Sequence, residues 1–283
     1  MNKIRLATRK SKLALIQSAM VQKALEEKGY EVEIVTVTTK GDKNQKDPLH
    51  KIGGTGVFVK EIENTLKKDE ADIAVHSAKD LPGEVPEGFV IPGVLPAAEE
   101  NDVLIYKKDL LLSEVNVIGS GSPRRISELQ ALVPDRKLDF RPIRGNVDTR
   151  LQKLRDGEYD GIILAKAGLQ RLKVDLSDFN IKEFSYTEII PAAGQGIIAL
   201  ECLTNREKAV EAARAISHEA SYERFLKERE LLNLFHADCS EAIGFYYGSK
   251  EVCGMYEGRR IIVKRQDFSK EEMYRFLSGE TDE

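Results

Sequence analysis

The 283 residues contain no tryptophan and only three cysteines, four histidines and nine prolines. Cys202, Cys239 and Cys253 are an odd set at wide spacing with no Cys-x-x-Cys, which argues against a disulfide framework or a cysteine-based zinc site. A reducing cytoplasm is the expected home. No run of about 18 apolar residues is present, so no membrane span is expected. The N-terminal stretch, MNKIRLATRKSK, is charged and lacks the apolar core of a secretory signal. Neither sign of charge dominates: 43 Lys and Arg face 47 Asp and Glu, a net charge of -4. With no basic stripe, a nucleic-acid partner is disfavoured, and any anion site must come from local clustering. Repeats and low-complexity tracts are also missing.

What is present is material for a large core, 41% hydrophobic residues, arranged as alternating strands and helices. Ile4 and Leu6 open a strand. Ser11 is placed to cap a helix whose apolar stripe is Leu13, Ile16, Met20, Ala24 and Leu25. EVEIVTVTT and ADIAVHS read as strands, and KIGGTGVFVKEIENTL as a glycine-rich loop entering a helix. This is βαβ patterning, which implies a mostly parallel sheet. A second α/β segment carries strands near 115–119, 138–143 and 160–165, and IIALEC is a further buried strand. LPAAEEND (95–102) and TEIIPAAGQG (187–196) look like boundaries, as if one lobe were inserted into another with a cleft between. The expected domains are 1–97 with 193–214, then 98–192, then 215–283. The last is read as a small α+β domain: a helical stretch broken near Ser217-His218, a hairpin over Glu257-Gly258, and a final helix with Ser269 and Glu272 in capping-box spacing.

GSGSPRR (119–125) poses a problem. Ser122 is a good N-cap and Pro123 suits the first helical position. Arg124 and Arg125 then fall in the first turn, where the helix dipole disfavours cations. Arg9, Lys79, Arg144, Arg150, Lys166 and Arg171 also follow strand ends. A single such arginine is ordinarily a solvated surface residue. The repetition points instead to an anion site at the carboxyl edge of the sheets, where ligands of α/β proteins bind. GGTG is not followed by Gly-Lys-Ser/Thr, so a Walker A loop is rejected. Asp80 stands alone among these bases. It is either a turn aspartate paired with Lys79 or an ionised acid that stabilises positive charge on a substrate. Cys202, Cys253 and His76 read as packing or strand-end residues, with no metal-ligand spacing.

ATRKSKLAL, GVFVKEIE, DIAVHSAKDLP, GSPRR, RGNVDTRL, ILAKAGLQRL and PAAGQG occur in one order, and that order resembles the porphobilinogen deaminase (hydroxymethylbilane synthase) family to about residue 200. Beyond it the likeness thins to ADCSEAIG. The resemblance implies an α/β fold with two periplasmic-binding-protein-like domains around a cleft and a small α+β third domain. It implies a cytoplasmic, monomeric transferase that condenses four porphobilinogen molecules head to tail, with loss of ammonia, into a linear tetrapyrrole. Growth starts on a covalent dipyrromethane cofactor.

Carried over position by position, Cys239 bears the cofactor by a thioether and Asp80 is catalytic. Lys79, Ser122, Arg124, Arg125, Arg144 and Arg150 bind the cofactor. Arg9, Ser11, Lys51, Phe58, Arg144, Arg150, Arg171 and Gln195 bind substrate and the growing oligopyrrole chain. The sequence departs from the family pattern at Thr55, where a lysine is usual, and around Cys239: Ala237-Asp238 replaces Gly-Gly and Ala242 replaces proline. Asp238 and Glu241, if close, would raise the thiol pKa. On the residues alone, the rival is a cytoplasmic two-lobed protein that binds a small polyanion without catalysis.

Overall fold

The computed structural model describes residues 3–38, 59–236 and 241–280. In chain order the elements are β1 (Lys3–Arg9), α1 (Lys12–Glu26), β2 (Glu31–Val37), α2 (Lys60–Lys67), β3 (Ile73–Ser77), β4 (Phe89–Val94), β5 (Asp102–Lys107), β6 (Val117–Gly119), α3 (Pro123–Leu132), β7 (Asp139–Arg141), α4 (Val147–Arg155), β8 (Gly161–Ala165), α5 (Lys166–Leu172), β9 (Phe179–Glu183) and β10 (Ile198–Leu203). There follow α6 (Glu207–Ala215), α7 (Glu219–Leu234), β11 (Ile243–Tyr247), β12 (Glu251–Tyr256), β13 (Arg259–Lys264) and α8 (Lys270–Ser278). Two compact units result, Met1–Ala98 with Gly194–Arg229, and Glu99–Ala193 with Glu230–Glu283.

The first unit is built on a five-stranded sheet in the order β2-β1-β3-β10-β4. β1 runs parallel to β2 and β3, while β10 is antiparallel to β3 and β4. Alternation along β1 serves both faces. Leu6 packs with Val21 and Leu25 of α1 and Ala213 of α6; Ala7 packs with Ile62 and Leu66 of α2. A sheet covered on both faces needs apolar residues at consecutive positions, which is why its strands read as continuous runs. α1 is turned from the expected stripe. Gln17, Ser18, Val21 and Leu25 are buried while Met20 is exposed, because Gln17 is pulled inward by a bond to Ser77.

The second unit holds a five-stranded sheet, β7-β6-β8-β5-β9, and a three-stranded one, β11-β12-β13. In the larger sheet β6 is parallel to β7 and β8, and β5 is antiparallel to β8 and β9. Val103 and Ile105 face α4, and Leu104 faces α3. The β12–β13 hairpin turns on Glu257 and Gly258, both at positive φ, the signature of a type I′ turn. One face of the small sheet is covered by Leu231 of α7 and by Met273 and Leu277 of α8. The other packs Cys253 and Met255 against Ile190.

Candidate functional site: cation-rich strand ends

In the first unit, β1 and β3 are parallel neighbours, with Leu6 beside Ile73 and Ala7 beside Ala74, so their carboxyl ends emerge together. Arg9 closes β1, half-buried. Ser11 follows as the cap of α1, its Oγ accepting the Ala14 N–H at 3.3 Å. β3 ends at Ser77 and runs into a 3-10 turn, Ala78–Asp80. That turn is fixed on several sides. Gln17 Nε2 donates to Ser77 Oγ at 2.9 Å, and the Ala78 N–H donates to the Ile197 carbonyl at 3.0 Å. Gly194, at φ +75°, lies so close that a Cβ there would sit 2.9 Å from Ala78 Cβ and 3.1 Å from Lys79 N. Its N–H donates at 2.6 Å to Glu228, a fully buried acid that also takes Arg224 Nε at 2.7 Å. Arg224 Nη2 in turn holds the carbonyl of buried Gln195 at 2.9 Å. On this clamped turn Lys79 is half-buried and Asp80 exposed. Among the described residues nothing donates a hydrogen bond to the Asp80 carboxylate.

In the second unit the carboxyl ends of β6, β7 and β8 share one side, since the three run parallel. Ser122 caps α3, accepting the Arg125 N–H at 3.5 Å, with Pro123 in the first turn. Arg124 and Arg125 are buried, and the anion that makes this tolerable is internal. Asp102, fully buried at the start of β5, receives Arg124 Nη2 at 2.7 Å on one oxygen. Its other oxygen receives Arg125 Nε at 3.0 Å and Nη2 at 2.6 Å. Arg124 Nη1 also donates to the Ile190 carbonyl at 2.6 Å. Burial pushes the Arg124 guanidinium below its ordinary pKa, with neighbouring Asp102 opposing the shift. One turn on, buried Glu128 accepts the Ile190 N–H at 2.7 Å and lies 3.0 Å from Arg260 Nε without hydrogen-bond alignment. Burial raises the Glu128 pKa.

Arg144 and Arg150 flank Gly145, whose carbonyl accepts Arg150 Nε at 2.8 Å. Asn146 occupies the cap position of α4, but its side chain makes no capping bond. Arg171 lies in α5, and desolvation draws its guanidinium down to about 10. Lys166 is neutralised by Glu99 and by Glu183, the latter at 2.6 Å, and so adds nothing to the cation set.

The first unit therefore gathers Arg9, Ser11, Lys79, Asp80 and Gln195 near the ends of β1 and β3, and the second gathers Ser122, Arg124, Arg125, Arg144, Arg150 and Arg171 near the ends of β6, β7 and β8. Lys51, Phe58 and Cys239 lie outside the described residues. Cys202 and Cys253 are fully buried. Desolvation lifts the Cys202 thiol well above its usual range and Cys253 to about 12, so neither offers a thiolate. His76 bonds to Glu201 at 3.1 Å inside the first unit. Sequence reasoning missed Gln17, Asp102, Glu128 and Glu228, the groups that hold the site from behind. The available signal for Asp102 was an acid leading straight into the apolar run Val-Leu-Ile-Tyr.

The fold defines a class: an α/β protein of two sheet-based units, each with cations in the segments that follow its parallel strands. Comparison with known proteins supplies the family. Residues 4–211 match the model described as "Porphobilinogen deaminase, dipyromethane cofactor binding domain". A porphobilinogen deaminase of a Nitratiruptor species is 38% identical over 98% of this chain and 91% of its own. Proteins named probable porphobilinogen deaminase, from Methanocaldococcus jannaschii and Picrophilus torridus, are 43% and 41% identical over 85% and 86% of the chain, covering 81% and 84% of theirs. Among solved structures, the Methionine Binding Protein MetQ aligns at a TM-score of 0.48 and 12% identity, over 81% of this chain and 96% of that one. The chain belongs to the porphobilinogen deaminase family, transferases that work with a dipyrromethane cofactor.

Proposed function

We propose that this chain joins four porphobilinogen molecules head to tail, with loss of four ammonia molecules and uptake of one water on release, into hydroxymethylbilane, and that Asp80 is its catalytic residue. The observation that carries the assignment is the exposed Asp80 carboxylate on a turn clamped by Gln17, Gly194 and Ile197. The donor set suits a dipyrromethane, whose side chains are acetates and propionates that guanidinium and ammonium groups bind. Arg124, Arg125, Ser122, Lys79, Arg144 and Arg150 would hold it. With Cys202 and Cys253 sealed in the core, Cys239 is the thiol for the thioether. When bound, this group supplies the nucleophilic pyrrole carbon from which growth begins.

Arg9, Ser11, Arg144, Arg150, Arg171, Lys51, Phe58 and Gln195 take the incoming substrate, the cations binding its two carboxylates. Departure of ammonia from porphobilinogen leaves a methylene-pyrrole cation. Asp80 accepts the pyrrole N–H and stabilises that cation through a preset charge. After the carbon–carbon bond forms, Asp80 relays the proton released on rearomatisation. We read the protein as a cytoplasmic monomer, in keeping with its free, buried Cys202 and Cys253. Among the described residues no helix is long and apolar enough to cross a membrane.

Intact-mass measurement tests the reading. The expected result is a chain heavier than its sequence by one dipyrromethane, either as purified or after incubation with porphobilinogen. A bare mass under both conditions overturns it. Asp80→Asn should keep the adduct and lower turnover roughly 10²-fold or more, the scale on which removal of one charge-stabilising group acts. Near-normal turnover removes Asp80 from the mechanism.

A further inference from the structure

Arg124 and Arg125 cannot set their own geometry. Two guanidiniums on adjacent residues repel, and the N-terminal turn of α3 adds the positive end of the helix dipole. Each long side chain also has several rotamers to lose. One group resolves all three difficulties. The Asp102 carboxylate is fully buried and splits its oxygens, Oδ2 to Arg124 at 2.7 Å and Oδ1 to Arg125 at 2.6 and 3.0 Å. Arg125 thus presents its Nε–Nη2 edge to Asp102, and its Nη1 reaches the Ile163 carbonyl at 3.3 Å. Asp102 is itself fixed, because it opens β5 in register with Ala165 of β8.

From this arrangement we infer that Asp102 is a positioning residue, which fixes the orientation of the Arg124–Arg125 pair and lowers its charge from two to one before any ligand arrives. The inference rests on the reading above that this pair receives ligand carboxylates. With Asp102 in place, the apo protein avoids the repulsive cost of two bare guanidiniums side by side.

Asp102→Asn is nearly isosteric; it removes the charge and replaces one accepting oxygen with an N–H donor that faces a guanidinium. Three readouts are taken well below the melting temperature: the rate of dipyrromethane loading by intact mass, KM and kcat for porphobilinogen, and the melting temperature itself. The expected result is loading slowed at least tenfold, with Asp102→Glu recovering part of the loss because it restores the anion. A lowered melting temperature with loading, KM and kcat all as in the wild type overturns the positioning role and leaves Asp102 a structural ion-pair partner. Should Asp102→Asn fail to accumulate as folded protein, Asp102→Glu alone carries the test: slower loading at an unchanged melting temperature supports the inference, and unchanged loading overturns it. Arg125→Lys, run alongside, separates the two layers. Wild-type loading and turnover in that variant sink the assignment of the pair to ligand carboxylates, and the inference with it. Impaired Arg125→Lys beside unimpaired Asp102→Asn sinks only the role of Asp102.

Discussion

The placement of Asp80, the catalytic residue we propose, depends on a residue with no side chain. Gly194 combines φ +75° with a Cβ position 2.9 Å from Ala78 and 3.1 Å from Lys79 N. Gly194→Ala must therefore strain its own backbone and also displace the turn that carries Lys79 and Asp80. The expected cost is about 1–3 kcal/mol by urea denaturation, with a loss of turnover larger than the loss of folded protein explains. An alanine variant as stable and active as the wild type would show that the turn is not clamped. Residues whose role is local were legible in the sequence: Ser122 and Ser269 as caps, Pro123 at the helix start, Glu257-Gly258 as a hairpin turn. The sequence reading took the anion for the clustered arginines to be a ligand; for Arg124 and Arg125 the structure supplies one from within, Asp102. The Asp102 contacts with Arg124 and Arg125 span 22 and 23 positions, and Glu228 meets Gly194 across 34. No spacing rule reaches that far.

At the level of elements, β3 and β8 were legible because burial on both faces forces apolar runs; β5, central and equally apolar, went unread. β4 and β9 lacked that signal for a physical reason. Both are edge strands. β4 carries Pro92 and Gly93 in its middle, which an edge tolerates and a sequence reading penalises; β9 buries only Phe179 and leaves Lys182 and Glu183 half-buried or exposed. The helix α2 illustrates a further feature hidden from sequence. Its Glu63 is buried, and its pKa is raised first by desolvation and then by Glu201, against the opposing pull of His76, Lys67 and Lys60. A carboxyl whose pKa is higher folded than unfolded holds more protons in the native state. Stability therefore falls as pH climbs from the unfolded value, about 4.3, through the raised folded one, and the full penalty persists above it. Glu63→Gln should melt higher than the wild type at pH 7, and the advantage should vanish near pH 4. An advantage that stays constant across that range would mean the Glu63 charge does not oppose folding.

Across the whole molecule, the two larger sheets share a plan. Each has four strands running in one direction and a single antiparallel strand inserted before the last: β10 in β2-β1-β3-β10-β4, and β5 in β7-β6-β8-β5-β9. The antiparallel members are the strands that follow the first two of three chain crossings, near Ala98–Glu99 and Ala193–Gly194. This plan puts the cations of each unit at strand ends while the chain as a whole stays acidic, at -4. Attraction for a dicarboxylate substrate must then be short-ranged, and its components must differ in their response to salt. Arg124 and Arg125 are buried and poorly screened; Arg9, Arg144 and Arg150 are partly exposed. Raising ionic strength from about 0.1 M to 1 M shortens the Debye length from roughly 10 to 3 Å. KM for porphobilinogen should rise severalfold over that range, while dipyrromethane already attached is retained and kcat changes little. The comparison uses enzyme loaded beforehand, with KM from initial rates and retention from intact mass. A KM indifferent to salt would mean that the partly exposed arginines do not bind substrate, and loss of turnover at constant KM would place the salt-sensitive step in chemistry instead of capture.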